Sequence, residues 1–202
     1  MDPSLSPTKG NLISLKKSLS LAMLGYDLMD RKRNILLREM MPLVEVSKTI
    51  RKEIKNTFNK AYEALKTANI TLGLCDFVAN SVEVEIGVFV KYKSIMGLSI
   101  PKVTLKTSIK GKDYGVLKTN SKLDIAYMCF NKAKEVVVIL AEIENSLYLL
   151  AKEIKKTKTR ANALKNIVIP KIKENIKYIE NALEEKEREE FGRLKTIKNT
   201  KA

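Results

Sequence analysis

The stretch that decides the fold is LISLKKSLSLAMLGYDLMDRKRNILLREMMPLVEVSKTIRKEIKNTFNKAYEALKTA, residues 12–68. Apolar residues recur in it at alternating steps of three and four, which is the heptad spacing of a coiled-coil helix. Fourteen of the seventeen positions on this seam are apolar or aromatic, where about eight are expected by chance at 45% hydrophobic residues. The seam positions are Leu12, Leu15, Leu19, Ala22, Tyr26, Met29, Arg33, Leu36, Met40, Leu43, Ser47, Ile50, Ile54, Thr57, Ala61, Ala64 and Ala68. At ~1.5 Å per residue, the predicted helix is roughly 85 Å long.

A second helical pattern begins at Ser121 and continues to Leu183. Its spacing slips once near Leu140 and widens toward four after Leu164, which indicates a straighter or locally right-handed stretch. The apolar positions are Leu123, Ala126, Phe130, Ala133, Val137, Leu140, Ile143, Leu147, Leu150, Ile154, Ala161, Leu164, Val168, Ile172, Ile176, Ile179 and Leu183.

Three residues mark the start of the first helix and breaks in both. Thr8 precedes the first apolar positions, and its hydroxyl is suited to cap the helix by accepting from a backbone N–H of the first turn. Pro42 and Pro170 lie inside the helical patterns. Each removes one backbone hydrogen bond and crowds the preceding turn, so both are candidate kinks.

Between the helices the period changes to that of strands. Residues 81–90, SVEVEIGVFV, alternate apolar and polar side chains, and residues 95–105, IMGLSIPKVTL, form a second short strand pattern. Residues 91–94 are the predicted turn of a β-hairpin and residues 111–115 a loop. Pro101 favours an edge or bulge position, because proline lacks the N–H that an inner strand needs.

Two long amphipathic helices separated by this segment each expose an apolar stripe, and packing the stripes together buries both. The predicted fold is therefore mainly α, a long antiparallel two-helix coiled coil with a small middle segment containing the β-hairpin. The predicted division is an N-terminal helix over residues 1–69, the middle segment over 70–120 and a C-terminal helix over 121–202.

Composition argues against an enzyme. The chain has no histidine and no phosphate-binding G-x-x-x-x-G-K-[ST] motif, and the glutamates of residues 184–190 alternate with basic residues as on a solvated helix. Cys75 and Cys129 are far apart in sequence and form no zinc-site spacing. We therefore predict no catalytic, metal or cofactor-binding residues and no cofactor. Residues 136–141 are the longest apolar run, and the polar start carries no signal peptide, so a chain without direct membrane insertion is expected.

The net charge of +15 implies an anionic partner: nucleic acid, a membrane surface or an acidic protein cavity. A basic coiled-coil scaffold or nucleic-acid-binding protein is the alternative function that this charge supports. Against it, the chain lacks aromatic residues interleaved with basic ones and any known reading motif, so no nucleic acid partner is expected. A salt titration of duplex binding distinguishes the two functions.

Recognisable motifs extend along nearly the whole chain. They begin at residues 7–9, PTK, continue through residues 25–28, GYDL, and include residues 95–97, IMG, with Ile100 and Pro101 in the middle segment. The most specific motifs are C-terminal: TRANAL at 159–164, VIP at 168–170, IKYI at 176–179, EKEREEF at 185–191 and RLK at 193–195. In order and spacing, these motifs resemble the D subunit of V-type and archaeal A-type ATPases.

The resemblance implies a non-catalytic central rotor shaft that couples ATP hydrolysis or synthesis to ion translocation by rotation. Its implied partners are the catalytic A and B subunits, the small F subunit and a socket subunit on the membrane ring. It also implies a cytoplasmic location, peripheral to the membrane. Basic residues near the two helix ends would guide the shaft against acidic surfaces of the ring, and the kinks would make the shaft asymmetric. The candidate shaft–ring contacts are Lys16, Lys17, Arg31, Arg33, Arg188 and Arg193.

Overall fold

The computed structural model describes residues 6–82, 86–105, 114–115 and 119–200, with Phe77 described by its backbone alone. It is predominantly helical, as predicted, with one long helix before the hairpin and a long helical run after it. The helices are α1 (Lys9–Leu72), α2 (Asp76–Ala79), α3 (Ser121–Ala163) and α4 (Ile169–Thr200), with a π-helical segment, Leu164–Val168, between α3 and α4. The strands are β1 (Val88–Ile95) and β2 (Leu98–Leu105). The predicted division at residues 69/70 and 120/121 stays a prediction.

The start and end of α1 follow from local chemistry. The N–H of Asn11 donates to Thr8 Oγ1 at 3.3 Å, which confirms Thr8 as the predicted cap. At the other end, the Gly73 N–H donates to the carbonyl of Asn69 at 2.9 Å, and Gly73 has φ +79°. That left-handed conformation is open to glycine and terminates the helix just beyond Leu72.

Two compact units can be distinguished in the chain. The helix-end unit consists of Met1–Ile35 and Ile154–Ala202, and the hairpin unit of Leu36–Glu153. In the helix-end unit, Lys9 pairs with Glu187 and Lys16 with Glu180. The residue number rises by seven on α1 while that of the partner on α4 falls by seven. The two helices of this unit therefore run antiparallel.

Contacts inside the hairpin unit have the same direction. Arg51 on α1 pairs with Glu144 on α3 at 2.7 Å. Further along α1, the ring of Tyr62 meets Phe130 edge-to-face at 5.7 Å between centroids. Rising numbers on α1 match falling numbers on α3, so these helices are antiparallel as well.

Burial confirms the predicted seam on α1. The four buried residues of α1 are Leu36, Ser47, Ala61 and Ala68, and all four are seam positions. On α3 and α4, most of the buried residues are predicted seam positions as well: Leu123, Ala126, Ala133, Ile143, Leu150, Ala161, Ile176 and Ile179.

The second pattern and the observed burial differ at Val137 and Thr157, and also at Ser146, which is buried, and Val168, which is exposed. Val137 is 39% exposed, whereas its neighbour Val136 is half-buried. Residues 136–140, VVVIL, are apolar throughout, so periodicity alone does not select the buried position there. Thr157, which is 2% exposed, completes the three-four steps between Ile154 and Ala161 where the apolar pattern had a gap.

The β-hairpin is present, but its turn lies elsewhere than predicted. Residues 91–94, the predicted turn, belong to β1, and Met96 and Gly97 form the turn with φ 51° and 78°. Positive φ at both central residues is the mark of the tight two-residue turn whose twist matches paired strands. Among the residues predicted for the first strand, 81, 82, 86 and 87 lie outside β1, while 83–85 lie outside the described residues, as do 111–113 of the predicted loop.

A small core closes the hairpin unit beside α2. It comprises Ala68, Cys75, Val78, Tyr114 and Leu123. The Tyr114 hydroxyl donates to Asp124 Oδ1 at 2.5 Å, and its ring meets that of Tyr127 edge-to-face. The pKa of the Tyr114 phenol is raised well above its usual value. Burial is the larger cause and the hydrogen bond to Asp124 the next.

This shift predicts a specific pH dependence. Because the folded state holds the phenol neutral, its stabilisation is present below the unfolded pKa of about 10 and declines as pH rises beyond it. Removing the hydroxyl in Tyr114→Phe is expected to lower the free energy of unfolding by roughly 1 kcal/mol at pH 8. Urea unfolding should show this difference from the wild type shrinking by pH 11.5. A difference that stays constant or grows would contradict the assignment.

Candidate functional site

All six predicted contact residues lie in the helix-end unit. This unit contains 20 lysines and arginines and 10 aspartates and glutamates, a net charge of +10, against +5 for the hairpin unit. Most of this excess lies in residues 154–177, which hold eight lysines and arginines and one glutamate, whereas residues 178–202 hold six of each sign.

Lys16 lies on the rim of the α1–α4 pairing. Its ammonium is 2.7 Å from Glu180 Oε1, and both side chains remain substantially exposed. One heptad earlier, Lys9 lies 2.9 Å from Glu187 Oε1, and the hydrogen bond to that carboxylate raises the pKa of the Lys9 ammonium. Exposed pairs of this kind add little stability, because water screens them.

Arg33 is held by its own helix. Its guanidinium lies 2.7 Å from Asp30 Oδ1 and donates to Asn34 Oδ1 at 3.2 Å. Its side chain is 30% exposed, which agrees with its place on the seam. Of the six predicted contacts, Arg33 is the least accessible to a partner.

Arg188 and Arg193 lie on the outer part of α4. Each faces a glutamate one turn earlier, Glu184 at 3.9 Å and Glu189 at 3.8 Å, and each side chain is more than three-quarters exposed. Ion pairs this long and this exposed contribute little, so both guanidinium groups can be redirected to an external carboxylate.

Lys17 and Arg31 are exposed, and among the described residues neither takes part in an ion pair. The structure therefore divides the six candidates into three kinds. Arg33 is held by residues of its own helix. Lys16, Arg188 and Arg193 form exposed ion pairs, and the charges of Lys17 and Arg31 face solvent.

The two prolines have different surroundings. Pro42 lies in the interior of α1, is exposed, and lines a depression between the helices and the hairpin. Pro170 is the second residue of α4, directly after the π-helical segment Leu164–Val168. A kink at either proline stays a prediction.

The π-helical segment explains the widened spacing after Leu164. A π-turn inserts one extra residue, and the apolar position moves from Val168, which is 37% exposed, to Ile169, which is half-buried. Within the same unit, Leu164 lies against Gly25, and Lys165 lies over the ring of Tyr26 at 5.7 Å. The sequence signal was the irregular spacing, but it did not specify a π-helix.

A second surface feature was missed by sequence reasoning. Every described residue from 184 to 200 is exposed, and Phe191, Leu194 and Ile197 are 71%, 65% and 51% exposed. Their spacing of three places them on one side of α4. This end of α4 presents an apolar strip flanked by Arg193, Lys195 and Lys198.

Within the described residues, no three acidic or cysteine side chains cluster as metal ligands. Cys75 is buried and Cys129 half-buried, and both are free thiols. No helix in the described part of the chain has the length and apolar character needed to span a membrane.

Comparison with known proteins gives one consistent result. A family model for the ATP synthase D subunit matches residues 11–199. The V-type ATP synthase D subunit of Thermotoga neapolitana is 44% identical over 197 residues, covering 96% of this chain and 97% of the relative. The A-type ATP synthase D subunit of Pyrococcus abyssi is 35% identical over 199 residues, covering 96% and 93%. That of Methanopyrus kandleri is 37% identical over 199 residues, covering 96% and 86%. The resemblance seen in the sequence motifs is thereby confirmed, and the chain belongs to the ATP synthase D-subunit family of V-type and A-type ATPases.

Proposed function

We propose that this chain is the central-stalk rotor of a V/A-type rotary ATPase. In this role it couples ATP hydrolysis or synthesis in a ring of A and B subunits to ion translocation by turning inside the ring. The observation that carries the proposal is family membership over almost the entire chain, together with an antiparallel pairing of both helix ends in one basic unit.

Mechanics supports this role for the helix-end unit. A shaft must resist twisting, and two helices joined along a buried seam resist it better than either alone, because relative movement would expose apolar surface. Ile176 and Ile179 are buried on α4, and Lys9 and Lys16 pair across to it. The same region therefore combines internal stiffness with an exposed charged surface.

Electrostatics supports weak, distributed contact with the ring. Lys17 and Arg31 are exposed cations, and Arg188 and Arg193 have only long, exposed ion pairs. Such groups can attract acidic surfaces without locking one angular position, since each contact is worth little in water. The catalytic A and B subunits are the proposed partners of this surface. Candidate kinks at Pro42 and Pro170 would make the three positions around the shaft inequivalent.

The remaining parts of the proposal follow from the family. The F subunit and the socket subunit of the membrane ring are the further proposed partners. ATP is bound and hydrolysed by the A and B subunits, so this chain itself is proposed to be non-catalytic. The complex would place it on the cytoplasmic side, peripheral to the membrane.

A pull-down from the native organism tests the proposal. An affinity-tagged full-length chain is expected to co-purify with the A, B and F subunits at moderate salt, identified by mass spectrometry. A tagged unrelated coiled coil of the same net charge is the control for non-specific attraction. Recovery of the same proteins by both baits, or of nucleic acid without ATPase subunits, would contradict the proposal.

A further inference from the structure

The outer edges of the two hairpin strands have different surroundings within the hairpin unit. The N–H of Val103 on β2 donates to Glu142 Oε2 of α3 at 2.8 Å. The depression beside this edge is lined by residues of β1, β2, α1 and α3, including Ile100, which is buried. The outer edge of β2 is thus covered, whereas β1 is the other edge of a two-stranded sheet.

The register shows which backbone groups of β1 point outward. Val90 faces Val103, whose N–H is bonded to Glu142, and Tyr92 faces Pro101, which has no N–H. Both are therefore non-hydrogen-bonded pairs, and in an antiparallel ladder such pairs recur at every second residue. The N–H and C=O groups of Val88, Val90, Tyr92 and Ser94 consequently point away from β2.

Every side chain of β1 from Val88 to Ser94 is exposed, and the two faces of the strand differ in chemistry. Val88, Val90 and Tyr92 share one face of the hairpin and are 46%, 48% and 72% exposed. Lys91 and Lys93 lie on the opposite face, and neither has an ion-pair partner among the described residues. Lys91 also lies directly opposite Lys102, a like-charge pair that disfavours the isolated hairpin.

Proteins usually blunt an exposed strand edge with lysines, proline, bulges or a covering element. Here the proline and the covering helix are on β2, while β1 is a regular eight-residue strand with an apolar face. The lysines of β1, Lys91 and Lys93, disfavour pairing with a basic strand but favour an acidic one. From this arrangement we propose that β1 is a docking edge that accepts an extended segment of a partner protein as a third strand. The segment would alternate acidic residues, beside Lys91 and Lys93, with apolar residues beside Val88, Val90 and Tyr92.

A second copy of this chain fits the edge poorly. Antiparallel pairing of two β1 strands must match outward-pointing residues with each other. In the two registers with the fullest overlap, Lys91 then lies opposite Lys91 or Lys93 of the other copy. Like charges directly opposite are destabilising, so the lysines select an acidic partner over self-association.

The test uses the full-length chain and a fluorescent ten-residue peptide in which glutamate alternates with valine and threonine. We expect saturable binding by fluorescence anisotropy, with slower hydrogen exchange at the amides of Val88, Val90 and Tyr92. Val90→Pro removes one outward N–H without removing a bond to β2, and is expected to weaken binding about tenfold or more. The matched Val90→Thr variant keeps the N–H and the side-chain volume, and should bind within about twofold of wild type.

Charge gives an independent arm of the experiment. Lys91→Glu combined with Lys93→Glu should reverse the preference, so that a peptide with lysine in place of glutamate binds better. The charge variants keep the proposal testable if Val90→Pro disturbs the hairpin. Such a disturbance would appear as faster hydrogen exchange at the inward-pointing amides of Lys91 and Lys93. Absence of saturation by the acidic peptide, equal binding of both peptides to wild type, or dimerisation through β1 in sedimentation would overturn the proposal. Each of these results is independent of whether the chain co-purifies with ATPase subunits.

Discussion

Replacing Ile179 with alanine is expected to lower the free energy of unfolding by about 2–5 kcal/mol. Ile179 is 0% exposed and among the largest fully buried side chains of the described residues. The substitution removes three methyl or methylene groups from the α1–α4 seam, and the helices cannot close the gap without shifting their other contacts. Urea or thermal unfolding followed by circular dichroism measures the change.

Ile197→Ala is the matched control, since it makes the same chemical change on the same helix. Ile197 is 51% exposed, so its replacement should change the free energy of unfolding by no more than about 0.5 kcal/mol. Leu15 and Leu19 are half-buried seam residues, and their alanine variants should fall between these limits. Equal effects at 179 and 197 would show that the seam on α4 has been assigned to the wrong face.

Deleting both helix ends, residues 1–26 with 178–202, is expected to remove most of the torque of a reconstituted rotary complex. The deletion takes away the cross-helix pairs of Lys9 and Lys16, together with the exposed strip of Phe191, Leu194 and Ile197. Under the proposed function, ATP hydrolysis should continue at a substantial rate, because the catalytic groups belong to other subunits. Rotation of a bead attached to the shaft and ATPase activity are measured in parallel.

Single alanine substitutions provide the control for this deletion. Lys16→Ala, Lys17→Ala, Arg188→Ala and Arg193→Ala each remove one exposed charge, which is worth about 1 kcal/mol or less in water. Each variant should therefore rotate nearly as well as wild type. Loss of hydrolysis from one such change in a fully assembled complex would contradict a passive shaft and would require this chain to contribute to a catalytic site.

If both the rotor role and the docking edge hold, the chain makes two kinds of contact. The helix ends would contact the ring through weak charges that tolerate rotation, as Lys17 and Arg31 illustrate. The outer edge of β1 would bind its partner through backbone hydrogen bonds, which are directional and fix position. A strand docked at β1 would therefore turn with the shaft, whereas the ring contacts would slide.

The heptad pattern of residues 12–68 by itself determined that the first helix exists, which face it buries and that it needs a partner. Helical periodicity depends only on backbone geometry, and an apolar stripe must be covered whatever covers it. Leu36, Ala61 and Ala68 are buried for that reason. Thr8 caps the helix for an equally local reason, because the N–H that donates to its hydroxyl belongs to Asn11, only three residues away. The family assignment was likewise available from the sequence, because its motifs extend along most of the chain.

Only the tertiary structure decided the features where several local solutions were equally good. Residues 136–140 are all apolar, so the pattern does not select the buried face there, and the structure leaves Val137 exposed and Val136 half-buried. The hairpin turn at Met96 and Gly97 requires positive φ at both residues, and strand pairing selects it over the more polar residues 91–94. The outer edge of β2 is covered by Glu142, which lies 39 residues from Val103, while the sheet of the described residues has no further strand beside β1. Sequence patterns report local geometry, but which edge of a sheet is left open is set by contacts between residues distant in the chain.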